Sequence, residues 1–441
     1  MTPTLYRMIK SFKKYVIVSR LFVFSAFACA LAAGGLAAAD DAFVFREGDR
    51  VAFVGDTFFE NELKSCYLET MLTASFPKAN ATFRNLGWSG DTVRGTARAR
   101  FGPPAEGFRH LKEDVLAFKP TVLFICYGMN ESFEGESGLA AFSSGYQTLL
   151  DAIVPRAARV ALITPIRHQK LDPPLPDPTE HNRALALYIQ EIKKIADKRG
   201  YRFVDLFNDS EIARSGSTTD GIHLTEPGYF AAATAIGRSL GLSFDPQTVD
   251  FSAGKPTDDR RGTKGSAVAF RLKTSSRFQP FPAIDPRSNR SSSHKNKSDN
   301  DFRAEDRAND SARSSLIVKF GRIDPNHDVK ASEFIARIDG VEVGTLNFDA
   351  KGCLRFPIPH SDIERLETLR GAIVEKNTLD FHRRRPENET YLFLFRKHEQ
   401  GQNAREIPMF DPLVEAKEKA IAELSLPIEH TFELILKESG R

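Results

Sequence analysis

Four short segments carry side chains able to do acyl-transfer chemistry: Gly55-Asp56-Thr57, Ser89-Gly90-Asp91-Thr92, Gly128-Met129-Asn130-Glu131 and Asp220-Gly221-Ile222-His223. Asp220 and His223 stand about one turn apart, so the carboxylate can hold the imidazole through Nδ1–H and leave Nε2 as a general base. The Thr57 hydroxyl is a nucleophile that such a base can deprotonate for attack on a carbonyl. The Asn130 side-chain amide and the Gly90 backbone N–H supply donors for the resulting oxyanion. In comparable sites the loss of one donor costs roughly 3 kcal/mol of transition-state stabilisation. Glycine at 90 and 128 lets the backbone approach a ligand closely. Trp88, in the oxyanion-side loop, reads as a pocket wall or a sugar-stacking face, with core packing an equal alternative. Arg94 could meet an anionic substrate group, against the simpler reading of a surface charge at a helix start.

Other polar residues in these segments have plainer readings. Asp56, in a turn before a helix, caps that helix rather than reacts. Ser89 and Ser132 are loop hydrogen-bonders, because neither stands at the end of the first strand. His110, His168 and His181 have no carboxylate partner at a matching spacing and read as surface residues. Apart from Cys29 near the N-terminus, the cysteines are Cys66, Cys126 and Cys353; they are far apart, form no C-x-x-C, and read as buried free thiols. No metal or organic cofactor is expected.

The segments fall at the ends of expected strands. Val51–Val54, Thr82–Leu86, Thr121–Tyr127, Val160–Thr164 and Arg202–Leu206 are short apolar runs. They alternate with helical patterns near Leu63–Met71, Leu111–Phe118, Leu139–Ile153, Asn182–Lys198 and Tyr229–Leu240. Such alternation predicts a parallel sheet covered on both faces, with ligands bound at the carboxyl ends of the strands. The four segments, in this order, resemble the blocks of the SGNH/GDSL hydrolase family: a G-D-S at the first strand end, a glycine in an S-G-D-T-like loop, a G-x-N-[DE], and a late D-x-x-H. The match runs from about Arg50 to Leu242. It implies a flavodoxin-like three-layer α/β/α sandwich and a serine-hydrolase mechanism on esters such as acetylated sugars, lipids or thioesters. Thr57 departs from the pattern by standing where the family has serine. Its hydroxyl survives, but its β-methyl restricts χ1 and crowds the attacking oxygen. Two outcomes stay open: altered or weakened hydrolysis, or a degenerate site that binds a ligand without turnover. The expected partner is a small-molecule or carbohydrate ester.

The rest of the chain sets the context. At 441 residues it is too long for one ordinary core. Its 61 basic and 58 acidic residues nearly cancel, giving no reason to expect nucleic acid or an anionic membrane surface as partner. Residues 1–39 have a basic head, an apolar run from Leu21 to about Leu36 and alanines at the exit. They read as a signal peptide for a secreted or periplasmic protein, or as a membrane anchor if uncleaved, with no membrane insertion after cleavage. The hydrolase-type domain is expected over 40–248, and polar, charge-mixed composition assigns 249–314 to a linker. From 315 to 441 a smaller α+β module is expected. Its strands are Leu316–Phe320, Phe334–Ile338 and Val341–Phe348, with a turn at Asp339-Gly340. Tyr391–Phe395 reads as a further strand, and Asp411 as the N-cap of a helix that Pro427 stops. The module packs on the first domain or forms a surface unit, with carbohydrate binding by its strands, or a structural surface role for the whole protein, as further readings.

Overall fold

The computed structural model describes residues 43–244, 247–250, 268–275, 286, 316–319, 333–349 and 352–436. The chain divides into two units at Val44. Only Phe43 and Val44 of the first lie within the described residues, and Phe45–Arg441 holds every element below. The stretch read as a signal peptide lies outside the described residues. Among them, no helix is long and apolar enough to cross a membrane.

The first half is a five-stranded parallel sheet. Its strands are β1 (Arg50–Gly55), β2 (Thr82–Asn85), β3 (Val122–Cys126), β4 (Arg159–Ile163) and β5 (Arg202–Val204), in the order β2-β1-β3-β4-β5. Each expected strand is present within about two residues. The central strands are apolar at every position because both faces are covered. Ala52, Val54, Leu123, Ile125 and Leu162 pack under α3 (Pro104–Phe118), α4 (Gly135–Ile153) and α5 (Thr179–Arg199). On the other face Phe53 stacks on Phe59 at 5.2 Å and meets Phe124 edge-on at 5.6 Å. That face is covered by α1 (Thr57–Glu62), α2 (Tyr67–Ser75) and α6 (Glu226–Ser239), with Tyr67 of α2 edge-on to Phe230 of α6. The result is the α/β/α sandwich that the alternating pattern calls for, with its strand order reversing beside β1 and β3.

The second half holds two small sheets. One has the order β10-β9-β12-β7, built from β7 (Val268–Ser275), β9 (Phe334–Ile338), β10 (Val341–Leu346) and β12 (Glu429–Leu436). The other has the order β11-β8-β6, from β6 (Gln247–Asp250), β8 (Leu316–Lys319) and β11 (Cys353–Phe356). Leu316, Val318, Phe334, Ala336, Leu354, Phe356 and Phe432 form their shared core. Two boundaries need correction. β6 joins the second sheet pair although it straddles the expected end of the first domain at 248. β7 lies inside the stretch 249–314, whose composition suggested a linker. The signal there was local: Val-Ala-Phe-Arg-Leu-Lys-Thr-Ser alternates in part, and polar neighbours on both sides diluted it.

Two further elements differ from expectation. Tyr391–Phe395 is no strand: α8 (Glu389–Leu392) occupies its first residues, after the long α7 (His360–Arg384), and precedes α9 (Lys397–Gln400). Five residues of aromatic and leucine are too short a run for periodicity to separate helix from strand. Asp411 lies in the first turn of α10 (Phe410–Leu424), whose N-cap is Met409, because the 3₁₀ turns of Gly401–Met409 run directly into the helix.

α7 and α10 cover the edge of the first sheet. β2 is an edge strand, and an unpaired edge exposes carbonyls that must find partners. Lys376 Nζ of α7 donates to Phe83 O at 3.1 Å, and Arg384 Nη2 donates to Asn85 O at 2.6 Å. Lys376 also meets Glu69 of α2 at 2.6 Å, and Asn377 Nδ2 donates to the other Glu69 oxygen at 2.8 Å. Lys376 and Glu69 are both buried, so neither charge has water as an alternative partner. Removing one member of a buried pair strands the other. Lys376→Ala is therefore expected to lower stability by about 3 kcal/mol, and Lys376→Met combined with Glu69→Gln by clearly less. Denaturant unfolding of the single and double variants checks this, and equal losses in both would contradict it.

Candidate active site

The ends of β1, β3 and β4 and the loop before α6 converge on one cleft, and the loop after β2 comes up to Thr57 beside it. Thr57 follows β1 as the first residue of α1. Asp56 caps that helix, its Oδ1 accepting the Phe58 N–H at 3.0 Å, as the sequence suggested. The other Asp56 oxygen is buried without a hydrogen-bond partner among the described residues. Burial, reinforced by the charges of Glu131 and Asp91, pushes the Asp56 carboxyl up to about 8.

The loop after β2 turns back towards α1. Trp88 N–H donates to Gly55 O at 3.0 Å, and Asp91 N–H to Trp88 O at 3.0 Å. Gly90 sits inside this turn with φ +73°, a backbone region that costs residues with a Cβ. The turn aims the Gly90 N–H at the Thr57 hydroxyl oxygen, 3.1 Å away. Asp91 is fully buried and binds the equally buried Arg98 at 2.6 Å. Tyr127 OH donates to the same carboxylate oxygen at 3.0 Å, and Arg98 Nη2 donates to Leu86 O at 2.8 Å. This cluster ties the turn to the end of β3. The segment after β3 returns the connection: Asn130 Nδ2 donates to Asp91 O at 2.7 Å. Glu131 accepts the Val93 N–H at 2.8 Å and the Gly128 N–H at 3.1 Å, so one carboxyl bridges both loops. Burial pushes that carboxyl up to about 7 against the pull of its N–H donors.

Asp220 and His223 form the arrangement expected from their spacing. Asp220 Oδ1 accepts the backbone N–H groups of Ile222 and His223 at 3.0 and 2.8 Å, and Oδ2 lies 2.7 Å from His223 Nδ1. A carboxylate only accepts, so Nδ1 carries the proton and Nε2 is the free nitrogen. Partial burial opposes the Asp220 charge, but the His223 ring and the two N–H groups outweigh it and hold the carboxyl at about 2. Thr57 and His223 line the same narrow cleft with Phe58, Met129, Ile166 and Tyr229. Among the described residues no hydrogen bond joins Thr57 Oγ1 to the His223 ring.

The remaining expected residues fall as follows. Trp88 is half-buried, with the guanidinium of Arg385 over its ring at 3.7 Å and that of Arg98 at 5.4 Å. Arg94 is exposed and donates to Ala141 O at 3.3 Å. Ser89 donates both its N–H and its hydroxyl to Glu60, and Ser132 Oγ lies 2.6 Å from Met129 O and 3.2 Å from His181 Nε2. Cys66, Cys126 and Cys353 are buried free thiols. His168 corrects the expectation of a surface residue: it is buried, stacked on His181 at 4.3 Å, with Phe133 against His181 at 4.1 Å. Asn182 holds its backbone from both sides, accepting from His168 N and donating to His168 O. Burial first, then the neighbouring His181, hold its ring down at about 4, so it is neutral. A lone histidine without a carboxylate at fixed spacing gives no sign of such stacking. Arg385 and Glu60, which brace the Gly90 loop, were also invisible, since their contact spans more than three hundred residues.

A doubly covered parallel sheet of this strand order, with a hydroxyl, an Asp-held imidazole and N–H donors at its carboxyl ends, has the make-up of an acyl hydrolase. Residues 48–231 match the model of the GDSL-like Lipase/Acylhydrolase family. Over the whole chain the fold is similar to that of a gut microbial diltiazem-metabolizing enzyme, with TM-score 0.57 and 13% identity, covering 91% of this chain and 100% of that one. An acetylxylan esterase from Geobacillus stearothermophilus is 20% identical over 45% of this chain and 97% of its own, with TM-score 0.37. No curated protein sequence matches the chain.

Asp56 gives the site a stability signature. Its folded value of about 8 lies above the ordinary value near 4, so the folded state keeps a proton that the unfolded chain releases. Its contribution therefore falls as pH rises from about 4 to about 8 and is constant above that. Asn at this position keeps the cap and never ionises. Asp56→Asn is expected to lose less thermal stability between pH 5 and pH 8 than the wild type. Glu131 leaves a residual slope of the same sign up to about 7. Melting curves at the two pH values check it, and identical slopes would count against the assignment.

Proposed function

We propose that the protein is an exported hydrolase of carboxylic esters, acting on small acyl groups, with acetyl groups on carbohydrate as the leading substrate class. The observation that carries the reading is the Asp220–His223 pair at 2.7 Å, whose histidine lines the same cleft as Thr57, the Thr57 oxygen accepting the Gly90 N–H. In the proposed reaction His223 Nε2 takes the Thr57 proton as Oγ1 attacks the ester carbonyl. Asp220 keeps the ring in the tautomer that leaves Nε2 free and stabilises the imidazolium that forms. Gly90 N–H and the Asn130 amide hold the oxyanion, and the imidazolium protonates the departing alkoxide. Water, deprotonated by the same nitrogen, then releases the acid from the threonine ester. The apolar side chains of Phe58, Met129 and Ile166 suit a short acyl group in a narrow cleft. Export rests on the N-terminal sequence alone.

A second reading has its own observation. The threonine methyl and the lack of a described hydrogen bond between Thr57 and His223 favour a retained pocket that binds ester or sugar without efficient turnover.

Release of short-chain aryl alcohols and of acetate from acetylated sugars separates the two. His223→Ala is expected to abolish turnover, and Asn130→Ala to lower kcat by roughly 10²-fold. Thr57→Ser is expected to raise kcat by relieving the crowding at the attacking oxygen. Activity that appears only in Thr57→Ser would mark a retired nucleophile, and equal activity in His223→Ala and wild type would remove the proposed base.

A further inference from the structure

Among the side chains by which the C-terminal half meets the first domain, Arg385 reaches both α1 and the Gly90 loop. Arg385, just past the end of α7, has its guanidinium over the Trp88 ring at 3.7 Å and donates through Nη1 to Glu60 Oε2. Glu60 stands three residues after Thr57 on α1. The same carboxylate takes the Ser89 N–H at 2.9 Å through Oε2 and the Ser89 hydroxyl at 2.9 Å through Oε1. Ser89 precedes Gly90, whose N–H faces Thr57 Oγ1 at 3.1 Å. The loop is pressed onto α1 at its start as well. A Cβ on Gly87 would come within 2.4 Å of Glu60 N, so only glycine lets the two backbones approach this closely. Two more ties run alongside: Arg384 donates to Asn85 O at 2.6 Å, and Arg100, beyond the loop, pairs with Glu389 of α8.

These contacts have a common geometry. Trp88 and Ser89 are the two residues before the donor glycine, and Arg385 contacts the first directly and the second through Glu60. A planar guanidinium can stack on an indole and bond a carboxylate at once, which an ammonium cannot do. We infer that Arg385 is a positioning residue: it clamps the Trp88–Ser89 segment to α1 and so holds the Gly90 N–H at the distance from Thr57 that oxyanion binding needs. The C-terminal half thereby completes the site from outside the hydrolase domain without touching the substrate. The kinetic part of this inference rests on the ester-hydrolase reading, and the spectroscopic part does not.

Trp88 is the sole tryptophan of the chain, so tryptophan emission reports on the surroundings of this one ring, where Arg385 is the nearer of two guanidinium groups. The experiment compares the full-length wild type with Arg385→Ala, Arg385→Lys and Lys417→Ala. Lys417 pairs with Glu375 elsewhere on the same helical layer and serves as the control. In Arg385→Ala, kcat for an aryl acetate is expected to fall about tenfold, short of the roughly 10²-fold loss on removing a donor outright. KM stays within about twofold, the pattern of an interaction made in the transition state. Trp88 emission moves to the red, acrylamide quenching rises, and amide exchange quickens over residues 88–91. Arg385→Lys keeps the bond to Glu60 but not the stack, so kcat recovers in part while the emission shift persists. That variant also carries the test should Arg385→Ala not fold. Lys417→Ala matches the wild type in every readout. Wild-type kcat with unchanged emission and exchange in Arg385→Ala overturns the inference, as does an equal effect in Lys417→Ala. If the wild type turns over no ester, the hydrolase reading falls. Emission and exchange then decide alone, with changes confined to the Arg385 variants upholding the clamp and their absence overturning it.

Discussion

The buried pair of Asp91 and Arg98 is the constraint on which the site depends. Two charges shut away from water are stable only while each has its partner, and breaking such a pair costs about 3–5 kcal/mol. The loop after β2 cannot swing away from the sheet without breaking it. With Tyr127 on the same oxygen and Leu86 O on the same guanidinium, the pair joins the ends of β2 and β3. Asn130 bonds the Asp91 carbonyl, so both candidate oxyanion donors are anchored to one residue. Both side chains of the pair are buried, so the loop is braced from within the fold.

A second layer of control comes from the far half of the chain. α7 supplies cations to the carbonyls of the edge strand β2, to Glu69 of α2 and to Glu60 of α1. Those three elements frame the first and second candidate segments. An open parallel sheet of five strands has two edges, and the β2 edge, beside the Gly90 loop, is the one α7 and α10 cover.

Much of this was legible in the residues themselves. Short apolar runs between helical patterns located all five strands, and the rule that ligands meet parallel sheets at carboxyl ends drew four weak motifs into one candidate site. Asp220 and His223 could be paired from their spacing, because the contact is local and a short turn allows little else. Asp56 as a cap was equally local. What escaped were contacts with no local period. Arg385 lies in a basic run whose only visible property was charge, and its partners are at 60 and 88. His168 was read as exposed because nothing in its neighbourhood announced His181 and Phe133. β7 hid in a polar stretch, and Tyr391–Phe395 lacked the length to declare its period. Short-range geometry is written in spacing, whereas packing between distant segments is decided by the fold.

The order of strands in the second sheet has a consequence for how the protein comes into being. β12 lies between β7 and β9, so residues 429–436 form the middle of that sheet and pair on both sides. During synthesis β7 and β9 leave the ribosome long before the strand that joins them, each with a face and an edge unfilled. That sheet is therefore complete only once residues 429–436 have been made.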